Sequence, residues 1–178
     1  MSQKHPIISI TGSSGAGTST VRDTFAQIFF REKVKAAFIE GDAFHRFDRA
    51  EMDKRLVEAH EDPLSHFSHF GEEANEFDLL EEVFRTYGET GTGRTRTYVH
   101  NEEQAEQWDC LPGTFTDWRS FEKNTDVLFY EGLHGAVVND KVNIAQHADL
   151  KVGVVPVINL EWIQKLHRDK AKRGYSTE

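Results

Sequence analysis

Apolar positions along the chain alternate between short continuous runs and stretches where they recur every three or four residues. Ile7-Ile8-Ser9-Ile10 is a run of strand type. Val21, Phe25, Ile28 and Phe29 then follow at helical spacing. Residues 34–40 form a second strand candidate, ending in Glu40-Gly41-Asp42. Residues 50–60 read as a helix and 63–71 as a loop. Phe77, Leu80, Val83 and Phe84 predict a helix over 73–87. The weak alternation over 95–100 fits a short strand or hairpin arm, and 107–125 shows no regular pattern. Residues 126–131 (Asp-Val-Leu-Phe-Tyr-Glu) predict a buried strand ending in a carboxylate. Residues 150–155 predict another buried strand, closed by Pro156, and 159–173 a helix with Asn159 as its N-cap.

Strands and helices in this alternation imply an α/β fold, a mostly parallel sheet flanked by helices. At 178 residues the chain is read as a single domain over 1–178. In such sheets ligands bind beyond the carboxyl ends of the strands. Three strand candidates lead at that edge to residues that can do chemistry: the glycine-rich turn from Gly12, Asp42, and Glu131.

The turn is Gly12-Ser13-Ser14-Gly15-Ala16-Gly17-Thr18-Ser19-Thr20. It satisfies the phosphate-loop pattern G-x-x-x-x-G-K-[S/T] except that Thr18 replaces the lysine. Strand, glycine-rich turn and helix together aim backbone N–H groups and a helix N-terminus at an anion, and Ser19 is placed to ligate Mg²⁺ beside a nucleotide. This is a P-loop NTPase/kinase reading, with ATP and Mg²⁺ as cofactors. The missing lysine means that another cation must neutralise the phosphates.

Composition narrows the classes. A net charge of −9 argues against general nucleic-acid binding, and no stretch approaches the length of a membrane span. The N-terminus is too polar, and reaches a strand too soon, for a signal peptide. The single cysteine, Cys110, excludes an internal disulfide and suggests a reducing compartment, so a cytoplasmic protein is expected. Against the acidic background, Lys165, His167, Arg168, Lys170, Lys172 and Arg173 cluster within nine positions. Beside a phosphate loop, that cluster gains weight as an anion site.

Phosphoryl transfer needs a phosphate cradle, Mg²⁺, neutralising charge and a group to orient the nucleophile. Glu131 suits the Mg²⁺ side. Asp42 suits the base that accepts a proton from the attacking hydroxyl, with an N-cap as the plainer alternative. His45 and Arg49 lie four apart and would share a helical face, where they can grip an acceptor phosphate. Lys165, Arg168 and Lys172 share a stripe, and Lys165 is the candidate for the charge that Thr18 cannot supply. Arg168 and Arg173 suit bidentate oxyanion recognition. Arg94 and Arg96, with Tyr98 nearby, lie where a hairpin can close over the acceptor. His60, His66 and His69 carry too little support for a transition-metal site. Trp108, Trp118 and Trp162 read as packing residues, and Cys110 lacks the basic surroundings of a catalytic thiol.

These segments together resemble the bacterial phosphoribulokinases. The resemblance rests on residues 10–20, 40–46 (Glu-Gly-Asp-Ala-Phe-His-Arg), 93–100 (Gly-Arg-Thr-Arg-Thr-Tyr-Val-His), 129–135 (Phe-Tyr-Glu-Gly-Leu-His-Gly) and 156–165, which span nearly the whole chain in order. It implies ATP-dependent phosphorylation of D-ribulose 5-phosphate to ribulose 1,5-bisphosphate in the Calvin cycle. It implies Asp42 as catalytic base, Glu131 as the Mg²⁺-side carboxylate and Lys165 near the transferred phosphate. It places His45, Arg49, Tyr98, Arg168 and Arg173 at the sugar phosphate. Bacterial members are similar in carrying threonine at the Thr18 position. The plant-type enzymes carry a redox cysteine where this chain has Ala16, so thioredoxin-type control through that position is not expected. A homo-oligomer with NADH activation and AMP inhibition is also implied, with Arg31 a candidate effector residue. Family members are considerably longer, so a lid region, later strands and part of the effector site are expected beyond Glu178. The alternatives are a related kinase of the uridine or pantothenate type, and a non-catalytic nucleotide-binding fragment. The basic residues assigned to the acceptor favour an acceptor that itself carries phosphate.

Overall fold

The structure, a computed structural model, describes residues 4–62 and 64–172, with the side chains of 168, 169, 171 and 172 outside the description. Four strands form the main sheet: β1 (Ile7–Gly12), β2 (Ala36–Glu40), β5 (Val127–Gly132) and β6 (Leu150–Val154). Their order is β2-β5-β1-β6 and every pairing is parallel. Two short antiparallel segments, β3 (Arg94–Thr95) and β4 (Arg119–Ser120), make a separate hairpin-like pair. The helices are α1 (Thr18–Glu32), α2 (Arg49–Glu61), α3 (Phe77–Thr90), α4 (Glu102–Trp108) and α5 (Ile158–Lys172).

The period of two in β5 explains the layering. Val127 and Phe129 face one side with Ile10 of β1 and Phe25 and Phe29 of α1. Leu128 and Tyr130 face the other, against Leu80, Val83, Phe84 and Tyr87 of α3. A strand covered on both faces must be apolar throughout, as 127–130 is. Phe129 is wholly buried, and its ring centroid lies 5.1 Å from Phe25, 5.7 Å from Phe29 and 5.6 Å from Phe38.

The structure corrects several sequence expectations. β2 begins at Ala36, not residue 34, because Val34 closes the turn after α1 behind the left-handed Lys33 and Lys35 pairs with Asp126 ahead of the ladder. α3 begins at Phe77, four residues later than its pattern suggests, because Ala74 and Glu76 pair their backbones with the segment after β2. β6 is an edge strand and not a buried one; Leu150 is 45% exposed. Asn159 lies inside α5, which starts at Ile158, and so is not its N-cap. Residues 102–108, to most of which the sequence pattern assigns no element, form α4, capped by the Asn101 side chain accepting from the Gln104 N–H.

The three chemically interesting strand ends meet as the parallel order demands. Glu131 is in register with Ile10 of β1 and with Glu40 of β2. Just beyond, the backbones of Gly41 and Gly132 approach over the Tyr130 hydroxyl. A Cβ on Gly132 would lie 2.7 Å from that oxygen and 2.8 Å from the Gly41 Cα. Only glycine on both sides permits this contact.

Candidate active site

The turn after β1 has the geometry of an anion cradle. Gly15 and Gly17 take φ values of +98° and +97°, in the left-handed region glycine favours, and Ala16 N–H donates to the Ser13 carbonyl at 2.9 Å. Gly17 occupies the N-cap of α1, and no side chain caps that end or places an acid in the first turn. The first-turn N–H groups of a fifteen-residue helix are therefore presented toward the cleft without an internal acceptor from a cap. Ser19 and Thr20 are exposed there.

Thr18 does not take up the role of the missing lysine. Its side chain is buried, and its hydroxyl is hydrogen bonded to Glu131. Burial pushes the Glu131 carboxyl above its ordinary pKa, with Glu40 and Asp42 adding to the rise; the Thr18 bond and the Arg22 charge offset it in part. Arg22, on α1, donates to Glu40 at 2.7 Å. A carboxylate at the end of β5, whose buried charge Arg22 and Thr18 offset only in part, offers oxygen to a hard cation. Glu131 and Ser19 would hold Mg²⁺ there.

Lys165 reaches the cradle from α5. A Cβ on Gly15 would lie 3.1 Å from the Lys165 Cβ, and Lys165 lines a pocket of about 450 Å³ with Ser13, Ser14, Glu161 and Trp162. Trp162 is 61% exposed and walls this pocket, so it is not a core packing residue. Trp118 does pack against the core, and Trp108 stacks under the Arg119 guanidinium at 4.6 Å.

Asp42 follows β2 in a short 3-10 turn (Gly41–Phe44) and caps no α-helix; Asp48 caps α2 instead. The Asp42 carboxylate lies between two imidazoles, 3.3 Å from His45 Nε2 and 3.2 Å from His100 Nε2. Its surroundings alone would raise its pKa. The hydrogen bonds from His100 and His45, and their charge, outweigh that and hold the carboxyl far below the usual range. Its side chain remains 44% open to the cleft. Burial lowers the His45 pKa, but Asp42 and Asn75 more than compensate, and the ring titrates above its ordinary value of 6.5.

His45 and Arg49 do not share a helical face. His45 ends the 3-10 turn in extended backbone, and Arg49 opens α2 after the Asp48 cap. They still converge, because Arg49 donates to the His100 carbonyl at 3.0 Å and the His100 ring sits on Asp42. Tyr98 packs edge-on against both His45 and His100, at 6.0 and 4.9 Å between centroids. Arg96 turns inward and is not a closing arm: it donates to the carbonyls of Ala43 and His45 at 2.8 and 2.7 Å and stacks on Phe115 and Trp118. Arg94 stacks on Trp118. Arg31 is exposed at the end of α1, 2.8 Å from Glu32. The Arg168 side chain and Arg173 lie outside the described residues. His100 and Asn75 were not singled out from sequence. His100 stands in the quoted 93–100 segment, whereas nothing in the pattern marks Asn75.

Comparisons with known proteins identify the family. Residues 7–178 match the model of the "Phosphoribulokinase / Uridine kinase family". The chain is 66% identical to a phosphoribulokinase of Nitrobacter vulgaris and 67% identical to phosphoribulokinase 1 of Cereibacter sphaeroides, in each case over its whole length and 61% of the relative's. It thus spans about three-fifths of the curated relatives it matches. Among solved structures, a phosphoribulokinase from "Rhodobacter spheroides" superposes with a TM-score of 0.83 at 64% identity, over 99% of this chain and 60% of that one. A possible uridine kinase from Bacillus stearothermophilus, 13% identical with a TM-score of 0.57, shares the fold. The chain belongs to the phosphoribulokinase/uridine kinase family.

Proposed function

We propose that this chain carries the nucleotide and acceptor sites of an ATP-dependent kinase that converts D-ribulose 5-phosphate to ribulose 1,5-bisphosphate, a Calvin-cycle step. The observation that carries the reading is the Asp42 carboxylate, kept ionised between two imidazoles at the strand edge that also bears the phosphate cradle. Relatives named phosphoribulokinase at 60–67% identity support the choice of acceptor.

On this reading the loop from Gly12 to Thr20 cradles the ATP phosphates through backbone N–H groups. Mg²⁺ held by Ser19 and Glu131 would supply charge neutralisation between the phosphates. Lys165 contributes the cation absent from the loop. His45, Arg49 and Tyr98, with Arg168 and Arg173, bind and orient the sugar phosphate. Asp42 aligns the sugar's C1 hydroxyl and accepts its proton. The C1 oxygen bonds to the γ-phosphorus, the bond from that phosphorus to the β–γ bridging oxygen breaks, and ADP leaves. The transition state is loose, so the proton transfers late and a weakly basic carboxylate suffices; alignment and charge matter more than base strength.

The same reading takes the protein as cytoplasmic and homo-oligomeric, with NADH and AMP as effectors near Arg31; the family resemblance is its support. No helix among the described residues is long and apolar enough to cross a membrane. Turnover of ATP by this chain with ribulose 5-phosphate, set against uridine and no acceptor, tests the proposal. Turnover with ribulose 5-phosphate alone supports it. Turnover with uridine instead overturns it in favour of a nucleoside kinase, and ATP binding without turnover leaves a nucleotide-binding fragment.

A further inference from the structure

Asn75 is buried, with 2% of its surface exposed, yet it is polar and sits outside the phosphate cradle. All three of its side-chain contacts point one way. Its amide nitrogen donates to the His69 carbonyl at 3.1 Å and to the Gly71 carbonyl at 2.7 Å. Carbonyl oxygens only accept, so the amide cannot be turned around without setting its Oδ1 against two carbonyl oxygens. Its Oδ1 therefore faces His45 Nδ1, 2.8 Å away, and can only accept from it. That fixes the proton on Nδ1. The other ring nitrogen, Nε2, lies 3.3 Å from the Asp42 carboxylate. With Nδ1 already protonated, a neutral ring would aim the Nε2 lone pair at an anion. Both contacts are satisfied only by an imidazolium that donates at each nitrogen.

We infer that Asn75 is a positioning residue that obliges His45 to carry both ring protons, so that Asp42 faces a fixed cation rather than a neutral, rotatable imidazole. The inference rests on the proposed role of Asp42, but its structural core does not need turnover. The groups facing His45 act on its charge in both directions, and Asp42 outweighs those that oppose it. The His69 ring packs at 4.9 Å and Tyr98 at 6.0 Å between centroids. The Arg96 guanidinium, on the His45 carbonyl, opposes the imidazolium charge, as does His100 when it is protonated across Asp42. His134 is electrostatically linked to the same ring, and burial lowers its own pKa, which favours its neutral form. Arg46 donates to the Asn75 carbonyl at 3.3 Å and pairs with Glu76 at 3.2 Å, which holds the residue's backbone.

The test is ¹⁵N and ¹H NMR of the His45 ring nitrogens in the 178-residue chain across pH, without substrate. The wild type should titrate above 6.5, and its neutral form at high pH should carry the proton on Nδ1, the tautomer that free histidine disfavours. In Asn75→Leu, the neutral tautomer should switch to Nε2–H, donating to Asp42, and proton affinity should fall about tenfold, one pKa unit. Asn75→Asp keeps the acceptor and adds charge, so it should raise proton affinity and keep the Nδ1–H tautomer. An Nε2–H tautomer in the wild type overturns the inference even if Asn75→Leu does not fold. An unchanged His45 titration in a folded Asn75→Leu chain overturns it as well. Failure of ribulose 5-phosphate turnover, with the Nδ1–H tautomer found, would overturn the functional proposal and leave this inference standing.

Discussion

Replacing Asp42 by asparagine separates the carboxylate's charge from its shape. Asparagine keeps one acceptor oxygen between His45 and His100 but can neither take a proton nor balance two imidazoles. Removing a positioned base typically costs 10²–10⁴-fold. If Asp42 is the proposed base, at least the middle of that range is expected, because the same carboxylate is also the anion that organises His45 and His100. kcat should therefore fall by about 10³-fold, roughly 4 kcal/mol of barrier. ATP affinity should hold, since Asp42 lies outside the cradle. A second readout needs no turnover. Burial lowers the His45 pKa, and Asp42 supplies the largest of the opposing effects. In Asp42→Asn the ring should titrate below 6.5 instead of above it. The sign also governs pH. In the wild type, the raised His45 pKa makes the ion pair's stabilisation fully present below 6.5 and lost as pH rises through the higher folded-state value. Retained turnover within tenfold of the wild type would refute Asp42 as base. An unmoved His45 titration would refute the coupling.

Three further outcomes are expected. Thr18→Val removes the hydroxyl bonded to Glu131 and so raises that carboxyl's pKa further; the Mg²⁺-dependent part of ATP binding, measured by calorimetry, should be lost at a higher pH than in the wild type as the medium is acidified. Phe129→Ala empties the centre of the cluster between β5 and α1 and should cost about 3–5 kcal/mol in urea unfolding; a loss under 1 kcal/mol would contradict the packing. Arg49→Ala should raise KM for the sugar phosphate several-fold while sparing ATP affinity, and an equal loss for both ligands would count against its placement at the acceptor.

Much of the fold is legible because burial on two faces leaves a strong trace in sequence. The run 127–130 is apolar throughout, and the structure shows why: α1 covers one side and α3 the other. The reading of β6 as buried fails for a related reason. Its apolar run is like that of an interior strand, but among the described residues it has a neighbour on one side only. α4 escapes notice because no residue in it is buried, so no period is imposed; its Asn101 cap is the signal that was available. The site divides similarly. The loop, Asp42 and Glu131 can be found because strand ends converge by rule. His45 and Arg49 were joined by a spacing argument that assumed a helix where the chain is extended. Arg96 looked like a mobile arm and is instead pinned by two carbonyls and two rings. Asn75 could not be found at all, because its function is a proton on another residue's ring.

The loop's missing lysine has a structural consequence. A lysine within a phosphate loop is placed by the loop's own backbone, so cradle and charge arrive together. Here the residue at that position, Thr18, is buried and bonded to Glu131, the carboxylate proposed to hold Mg²⁺. The candidate cation read from the sequence, Lys165, comes from α5, nearly 150 residues along the chain, and stands against Gly15. Under the proposed function, neutralising the phosphates then depends on where α5 sits as well as on the loop. Trp162, Ile163 and Leu166 on that helix are 61%, 53% and 46% exposed. On the proposed function, separating cradle from cation makes nucleotide binding and catalytic charge independently adjustable, which a lysine inside the loop would not allow.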